Sequence, residues 1–459
     1  MKGLLRASFA MIAALTMASA RATDGPAAAA PATMSTNAGV AEAEPPRRGL
    51  PAPLDSPPFP SSEWPLGGSQ VIGAPDTSVG PLMKWIYDGP NGQAWKDSRI
   101  KIYGWAEFGA NLSSSSQSNA PAGYSFRPNR LALNQFIMRI ERLPDTVQKD
   151  HVDWGFNVTG IYGLDYRFTI MKGIFSDQLL KRNQPYGFDI PTIYGDVYFP
   201  QIADGMNVRF GRYLSIPDIE TQLAPYNYMY THSLLYIFDP FTQMGVLSTV
   251  KLNNQWMVQV GVHAGNDVAV WQRGDARPTG VVCVRWTSKD NNDSLYPCIN
   301  SINDGKYAYD NIQMFVTTWS HKFNSWWNMQ TEAYYTYQRE VPSVSGPLPI
   351  QANTFGAACP VGQVSCFAPA WAIVNYQNFK LSGKDFIVLR NEYFDDERGQ
   401  RTGVKTRYST HGIGWGHWFA DNVLFRPELR FEHAYDIPAF NNGTKKSQLM
   451  LAADLVITY

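Results

Sequence analysis

Arginine and glutamate alternate along one face of a segment near the end of the chain. The charged residues there occupy every second position, as Arg426, Glu428, Arg430 and Glu432, and apolar residues such as Leu429 fall between them. A period of two is the pattern of a β-strand, whose successive side chains point to opposite faces. Charges repeated along one face need water around them, so this face could solvate polar molecules moving past it.

Other segments show the same alternation, which predicts a larger set of inward-facing charges. If these strands cross a membrane, their charges must face an aqueous lumen, because lipid does not solvate them. There they would hold water and set a transverse field for polar solutes. Alternatively, cross-strand ion pairs simply fill a narrow barrel. The predicted pore-lining residues are Asp165, Arg167, Arg209, Glu332, Arg390, Glu392, Arg426, Glu428, Arg430 and Glu432.

Residues 215–243 form a long connection in which acidic residues and a histidine are spaced along the chain. The connection follows the fifth predicted strand, where an inward-folding constriction loop would be expected. Acids on such a loop, opposite a wall of arginines, would sort solutes by size and dipole. An ordinary external loop is the alternative. The predicted constriction-loop residues are Asp218, Glu220, His232 and Asp239.

Other residues of catalytic or metal-binding type lack the required spacing. Ser233 follows His232, but adjacent loop residues do not place a base beside a nucleophile, and the Gly-x-Ser-x-Gly turn is missing. The acidic clusters at 290–293 and 395–397 lack the spacing of a calcium-binding loop. The sequence therefore predicts no enzyme activity, no cofactor and no metal site.

The N-terminus predicts export. Lys2 and Arg6 precede a short apolar run over residues 9–18, and small residues follow. This pattern is typical of a cleaved signal peptide, which we place at residues 1–22.

The composition then divides the remaining chain into three parts. Residues 23–78 are rich in Ala, Pro, Gly and Ser and predict a disordered, flexible linker. Residues 79–99 show a weak helical pattern and predict a short periplasmic or plug segment. Residues 100–459 carry the strand patterns and predict one β-domain.

An exported chain can form disulfides, and this one has 4 cysteines. Four cysteines allow three pairings. We favour the local pairing, Cys283 with Cys298 and Cys359 with Cys366, because both pairs lie within long predicted loops.

From residue 100 onward, about fourteen segments have strand character, most near the ~9–11 residues that cross a bilayer at a tilt, and roughly 12–16 strands would fit. Short and long connections alternate between them, as in an up-and-down barrel with periplasmic turns and external loops. Only a closed barrel satisfies every strand-edge amide in lipid. The predicted fold is therefore an all-β, antiparallel transmembrane barrel. The segments span residues 100–112, 131–142, 152–170, 192–199, 205–214, 244–252, 255–265, 312–323, 327–338, 370–381, 385–395, 405–419, 422–432 and 448–459.

Overall composition agrees with this class. The chain has 39 basic and 39 acidic residues, so its net charge of zero argues against a nucleic-acid partner. It contains 24 Tyr, 24 Phe and 14 Trp, enough to supply aromatic belts at two membrane interfaces. Tryptophans near strand ends, including Trp105, Trp326 and Trp415, are interpreted as interface anchors.

A set of short segments recurs in a characteristic order and spacing from residue 100 to the C-terminus. These segments are residues 100–105, 161–167, 208–213, 239–246, 389–395, 399–403 and 425–430. Together, rather than singly, they resemble the OmpL-like β-barrel porins of Gram-negative bacteria. The resemblance implies a porin fold in the outer membrane and no particular solute.

We therefore expect a water-filled channel for passive diffusion of small hydrophilic solutes through outer-membrane lipid. The alternative is a non-conducting barrel whose long, disulfide-stapled external loops bind a partner or surface. The apolar face that ends in Tyr459 predicts recognition of the C-terminal strand by the barrel assembly machinery. The sequence leaves the oligomeric state open and allows a homo-oligomer.

Overall fold

A computed structural model describes residues 72–73, 79–216, 218–290, 292–344 and 356–459. The predicted signal peptide and nearly all of the predicted linker lie outside these residues, so both assignments stay predictions. Among the helices in the described ranges, none is long and apolar enough to cross a membrane.

Sixteen antiparallel strands form a closed barrel in which each strand pairs with its neighbours in sequence and β1 pairs with β16. The predicted class is confirmed, and the predicted count of about fourteen strands is too low. The strands are β1 Ile100–Ser113, β2 Leu131–Arg142, β3 Asp153–Gly163, β4 Gly187–Phe199, β5 Met206–Leu214, β6 Thr242–Lys251, β7 Trp256–Asn266, β8 Thr279–Thr287, β9 Asp293–Ile302, β10 Gln313–Lys322, β11 Trp327–Pro342, β12 Ser365–Lys380, β13 Asp385–Asp396, β14 Arg407–Ala420, β15 Val423–Ala434 and β16 Ser447–Thr458.

The missing strands are β8 and β9, which lie in the stretch interpreted above as one long loop. β9 carries Pro297 within the strand, which weakens its strand pattern. Cys283 and Cys298 pair opposite each other across these two strands and form a disulfide. The predicted pairing is confirmed, but its placement in a loop is wrong.

The second predicted disulfide is also confirmed. It joins Cys359, in the connection before β12, to Cys366 near the beginning of that strand. This bridge therefore closes the end of a long loop, as predicted.

The strand faces divide into an apolar exterior and a polar interior. In β15, Leu429 and Phe431 are exposed, whereas Arg430 between them is fully buried inside the barrel. Exposed tryptophans such as Trp154 and Trp256 begin strands and suit an aromatic belt.

Trp105 is an exception to the anchor interpretation. It is buried inside the barrel, and its indole nitrogen donates to Gln135 Oε1 at 3.0 Å. Trp105 shares the inward parity of Glu107 on β1, so its position near a strand end does not bring it to the interface.

Short turns and long connections alternate along the barrel, and the first strand begins, and the last strand ends, at the short-turn side. Two short helices, α1 Pro81–Tyr87 and α2 Gly92–Ser98, precede β1. Met83 of α1 is fully buried, and its sulfur accepts from the Ile102 amide at 3.1 Å. The helices therefore pack against the beginning of β1. Two further short helices, α3 Asp177–Leu180 and α4 Leu234–Ile237, lie within long connections.

Candidate functional site

The connection between β5 and β6 folds into the barrel. We call residues 215–241 the inner loop. Ile216, Leu223 and Leu234 on it are fully buried, as are most of its described side chains. Because the strands follow sequence order around the barrel, β13 and β14 lie opposite the ends of this loop. The loop reaches that opposite wall, since α4, which is part of it, contacts β12 and β13.

Glutamates of the opposite wall accept hydrogen bonds from inner-loop amides. Glu392 on β13 accepts from the amides of Leu234 at 3.0 Å and Leu235 at 2.6 Å. Glu428 on β15 accepts from the amide of Thr231 at 3.2 Å. Backbone amides buried in the barrel interior need hydrogen-bond acceptors, and these carboxylates supply them.

Arginines of the same wall donate to inner-loop carbonyls. Arg426 Nη1 lies 2.9 Å from Ala224 O and 2.5 Å from Asn227 O. Arg430 Nη1 lies 2.5 Å from His232 O. The charged face of β15 therefore contacts the backbone of the loop: its arginines donate to carbonyls, and Glu428 accepts from an amide.

Arg390 on β13 contacts the loop in two ways. It donates to the carbonyl of Thr231, and its Nη2 lies 2.8 Å from Thr231 Oγ1. Its Nη1 also lies 3.6 Å from Glu220 Oε1, an ion pair between the wall and the loop. Among the described residues, this is the one ion pair between a predicted constriction-loop acid and an arginine of the opposite wall.

The β1–β2 side of the barrel holds the loop with neutral groups. Gln135 donates to Gln222 O at 2.6 Å and accepts from the Ala224 amide at 3.2 Å. Tyr230 lies against Gly109, where an added methyl group would come within 2.2 Å of the Tyr230 hydroxyl. Glycine is required there because the tyrosine approaches the β1 backbone closely.

Strand parity correctly places eight of the predicted pore-lining residues on the interior face, but Asp165 and Arg167 are not on a strand. They lie in a 3-10 turn, Asp165–Phe168, because β3 ends at Gly163 rather than continuing to residue 170. Gly163 has a φ of 146°, which favours glycine and ends the extended run. Whether the other eight line a conducting path stays a prediction.

Asp165 and Arg167 have separate surroundings. Asp165 is buried and accepts from Asn134 at 3.0 Å and Gln135 at 3.1 Å. Burial raises the pKa of Asp165 to about 7, although these amide donors act in the opposite direction. Arg167 is half-buried and donates to Gln184 O at 2.8 Å within its own connection.

The predicted loop residues Glu220 and His232 lie together. Glu220 accepts from the amide of Ser233 at 3.1 Å and also from its hydroxyl. The His232 ring stacks near Tyr124 at a centroid distance of 3.9 Å. Burial, and then the charges of the wall arginines, lower the pKa of His232 well below its usual range.

Several interior acids were not singled out by sequence reasoning. Asp454 on β16 lies opposite Arg426 in the strand register, and Arg426 Nε donates to it at 3.0 Å. Asp196 accepts from Arg209 Nε and Nη2, each at 2.9 Å, in a bidentate pair. Inward parity on β16 and β4 could have identified both acids, but it could not have identified their partners.

Comparison with known proteins identifies the family. A family model described as "Putative beta-barrel porin-2, OmpL-like" matches residues 99–459. The chain belongs to this porin family. Porins of this kind are typically outer-membrane channels rather than enzymes. The family is the one that the sequence segments resemble.

Solved structures of outer-membrane porins are similar to this porin at low sequence identity. An anion-selective porin from Comamonas acidovorans is 11% identical, with 78% of this chain and 99% of that chain covered and a TM-score of 0.52. The outer membrane channel DcaP of Acinetobacter baumannii is 10% identical, with 78% and 97% covered and a TM-score of 0.48. The likeness to the Comamonas porin concerns the fold alone. A comparison with curated proteins finds no match.

Proposed function

We propose that this porin conducts small hydrophilic solutes by passive diffusion and that the inner loop is its constriction. The observation that carries the proposal is the path of the loop, which runs from β5 across the interior to the charged wall of β13 and β15. A loop fixed across a barrel reduces the free cross-section and so limits the size of solute that passes.

The polarity of the wall supports the same proposal. Arg390, Glu392, Arg426 and Glu428 alternate in sign on two nearby strands. Such a wall favours polar solutes over apolar ones, but its opposite charges cancel in the mean field. The channel should therefore show weak ion selectivity.

Conductance of the purified full-length protein in a planar bilayer tests the proposal. We expect discrete conductance steps for the wild type and larger steps for Arg390→Ala/Glu392→Ala, which removes four hydrogen bonds and one ion pair that hold the loop. Swelling of liposomes in a series of sugars should show passage of larger sugars through the same variant.

The matched control is Asp177→Ala/Lys181→Ala, which removes an exposed ion pair of 2.8 Å outside the interior. It should conduct like the wild type. We call Arg390→Ala/Glu392→Ala the loop-anchor variant. If both the wild type and the loop-anchor variant form folded barrels but neither conducts, the proposed channel function is contradicted.

A second candidate function is a non-conducting scaffold that binds a partner through its external loops. It is favoured by the burial of the predicted interior charges, including Arg430 and Glu432, beneath neighbouring groups. In the connection closed by the Cys359–Cys366 disulfide, Val361 and Val364 are highly exposed. Under this alternative, the loop-anchor variant would remain silent in bilayers.

A further inference from the structure

Three carboxylates meet where the inner loop leaves and rejoins the barrel wall. Asp218 lies just after β5, Asp239 lies just before β6, and Glu332 projects from β11. One oxygen from each residue lies within 4.8 Å of the others. The three residues are distant in sequence, so only the fold brings them together.

Asp239 and Glu332 are buried, Asp218 is partly exposed, and the cluster is poor in positively charged partners. Asp239 is 0% exposed and Glu332 is 1% exposed. Among the residues that the structure describes, no hydrogen-bond donor reaches either carboxylate oxygen of Asp239, Asp218 Oδ1 or Glu332 Oε1, and all four atoms are buried. Glu332 Oε2 accepts from the Ile219 amide at 2.7 Å, which orients the side chain.

Within the described residues, no lysine, arginine or histidine forms an ion pair with any of these three acids. Two arginines that contact the inner loop have other partners: Arg390 faces Glu220, and Arg401 faces Asp310 and the carbonyl of Phe238. Adjacent buried carboxylates repel each other when ionised, so the cluster needs a cation or bound protons.

We propose that Asp218, Asp239 and Glu332 bind one divalent cation, best matched by Ca²⁺. Calcium takes oxygen ligands at roughly 2.3–2.6 Å, so oxygens on opposite sides of the ion can be nearly 5 Å apart. The separations within this cluster, up to 4.8 Å, fit that geometry. Magnesium needs a tighter octahedron of oxygens, at roughly 2.0–2.1 Å.

The cation would tie both ends of the inner loop to β11. Asp218 and Asp239 belong to the loop, whereas Glu332 is held in the strand pairing of β10, β11 and β12. Binding would therefore hold the base of the loop in place. This inference concerns the ion site itself and holds for either candidate function, because it does not require the barrel to conduct.

The test is calcium binding by the full-length chain, refolded from inclusion bodies so that no lipopolysaccharide contributes sites. Calorimetric titration of the chelator-treated barrel with Ca²⁺ alone should show one site per chain. Asp239→Asn and Glu332→Gln should each weaken it by about tenfold or more, since each removes a charged ligand. Calcium should also raise the unfolding temperature of the wild type more than that of either variant.

Glu340→Gln is the matched control, because Glu340 lies on the same strand, β11, but is exposed. It should bind Ca²⁺ like the wild type. Folding of every variant is checked by heat-modifiable migration in gels, and Glu332→Gln serves if Asp239→Asn does not fold. Absence of a site in the folded wild type, or unchanged binding in a folded cluster variant, would overturn the proposal and leave bound protons as the compensation.

Discussion

At the scale of single residues, the interior charges act as contacts for the inner loop. Glu392 accepts two loop amides, and Arg430 donates to a loop carbonyl. In water such groups would be solvated, but here each backbone polar group must find a partner in the protein. The charges that parity places inside the barrel are therefore also part of its packing.

Replacing Glu392 by alanine should destabilise the protein. The amides of Leu234 and Leu235 would lose their acceptor in a buried site, at a cost of about 1–3 kcal/mol. Guanidinium unfolding of the detergent-solubilised barrel measures the change. Glu340→Ala, at an exposed position on β11, should leave the unfolding midpoint nearly unchanged. Equal midpoints for the two variants would show that Glu392 does not hold the loop.

Gly109→Ala should disturb the packing of Tyr230 against β1. The new methyl group would lie within 2.2 Å of the tyrosine hydroxyl, so the side chain must move, at a cost of about 1–3 kcal/mol. In a Tyr230→Ala background the same glycine substitution should cost much less. A double-mutant cycle from unfolding midpoints measures this coupling, and additive effects would contradict the contact.

At the scale of elements, the last strand closes the barrel. Tyr459 exchanges backbone hydrogen bonds with Gly104, at 2.9 and 3.2 Å, and its hydroxyl donates to Ile137 O at 2.7 Å. The final residue thus contacts both β1 and β2. Recognition of the strand by the assembly machinery stays a prediction.

Deletion of Tyr459 should lower the amount of folded barrel in the outer membrane. The strand end would lose its pairing with Gly104 and its contact with β2. Heat-modifiable migration of outer-membrane fractions measures the folded fraction. Tyr459→Phe keeps the backbone pairing and should be closer to the wild type. A deletion variant with undiminished folded barrel would count against the C-terminal assembly signal.

The two disulfides should stabilise the protein to different extents. In the chain-entropy account, the Cys283–Cys298 bridge, with a separation of 15, contributes about 3 kcal/mol, and Cys359–Cys366, with a separation of 7, about 2 kcal/mol. Unfolding midpoints of the two double Cys→Ser variants should follow this order. Non-reducing peptide mapping checks the pairing itself, and a cross-link between the two bridges would refute it.

At the scale of the whole molecule, the charged wall should influence ion selectivity. Arg426→Glu/Arg430→Glu removes the donors to three loop carbonyls and places acid beside Asp454. We expect the reversal potential to shift toward cations, with a smaller shift at 1 M salt, where the Debye length is about 3 Å.

The control for this prediction is Arg130→Glu, at an exposed position outside the wall. It should shift the reversal potential less than the wall variant. A folded wall variant whose selectivity stays at the wild-type value would show that Arg426 and Arg430 lie away from the conducting path. Loss of folding in the wall variant calls for the milder Arg430→Gln in the same measurement.

The sequence by itself determined the class of this protein, because the evidence for it is local. The period of two in β15, the alternation of short and long connections, and the resembling segments are all properties of neighbouring residues. Each of the fourteen predicted segments overlaps a strand in the structure. Where the pattern was weak, as in β9 with its internal Pro297, sequence reasoning failed.

The tertiary structure alone decided what the interior contains. Parity places Arg426 and Arg430 inside, but it cannot show that the inner loop occupies the space beside them. Nor can it bring Asp218, Asp239 and Glu332 to one point, since they meet only after the barrel closes and the loop folds inward. Period-two alternation specifies which face a side chain takes, whereas contacts across the lumen depend on closure and on the path of a segment without periodicity.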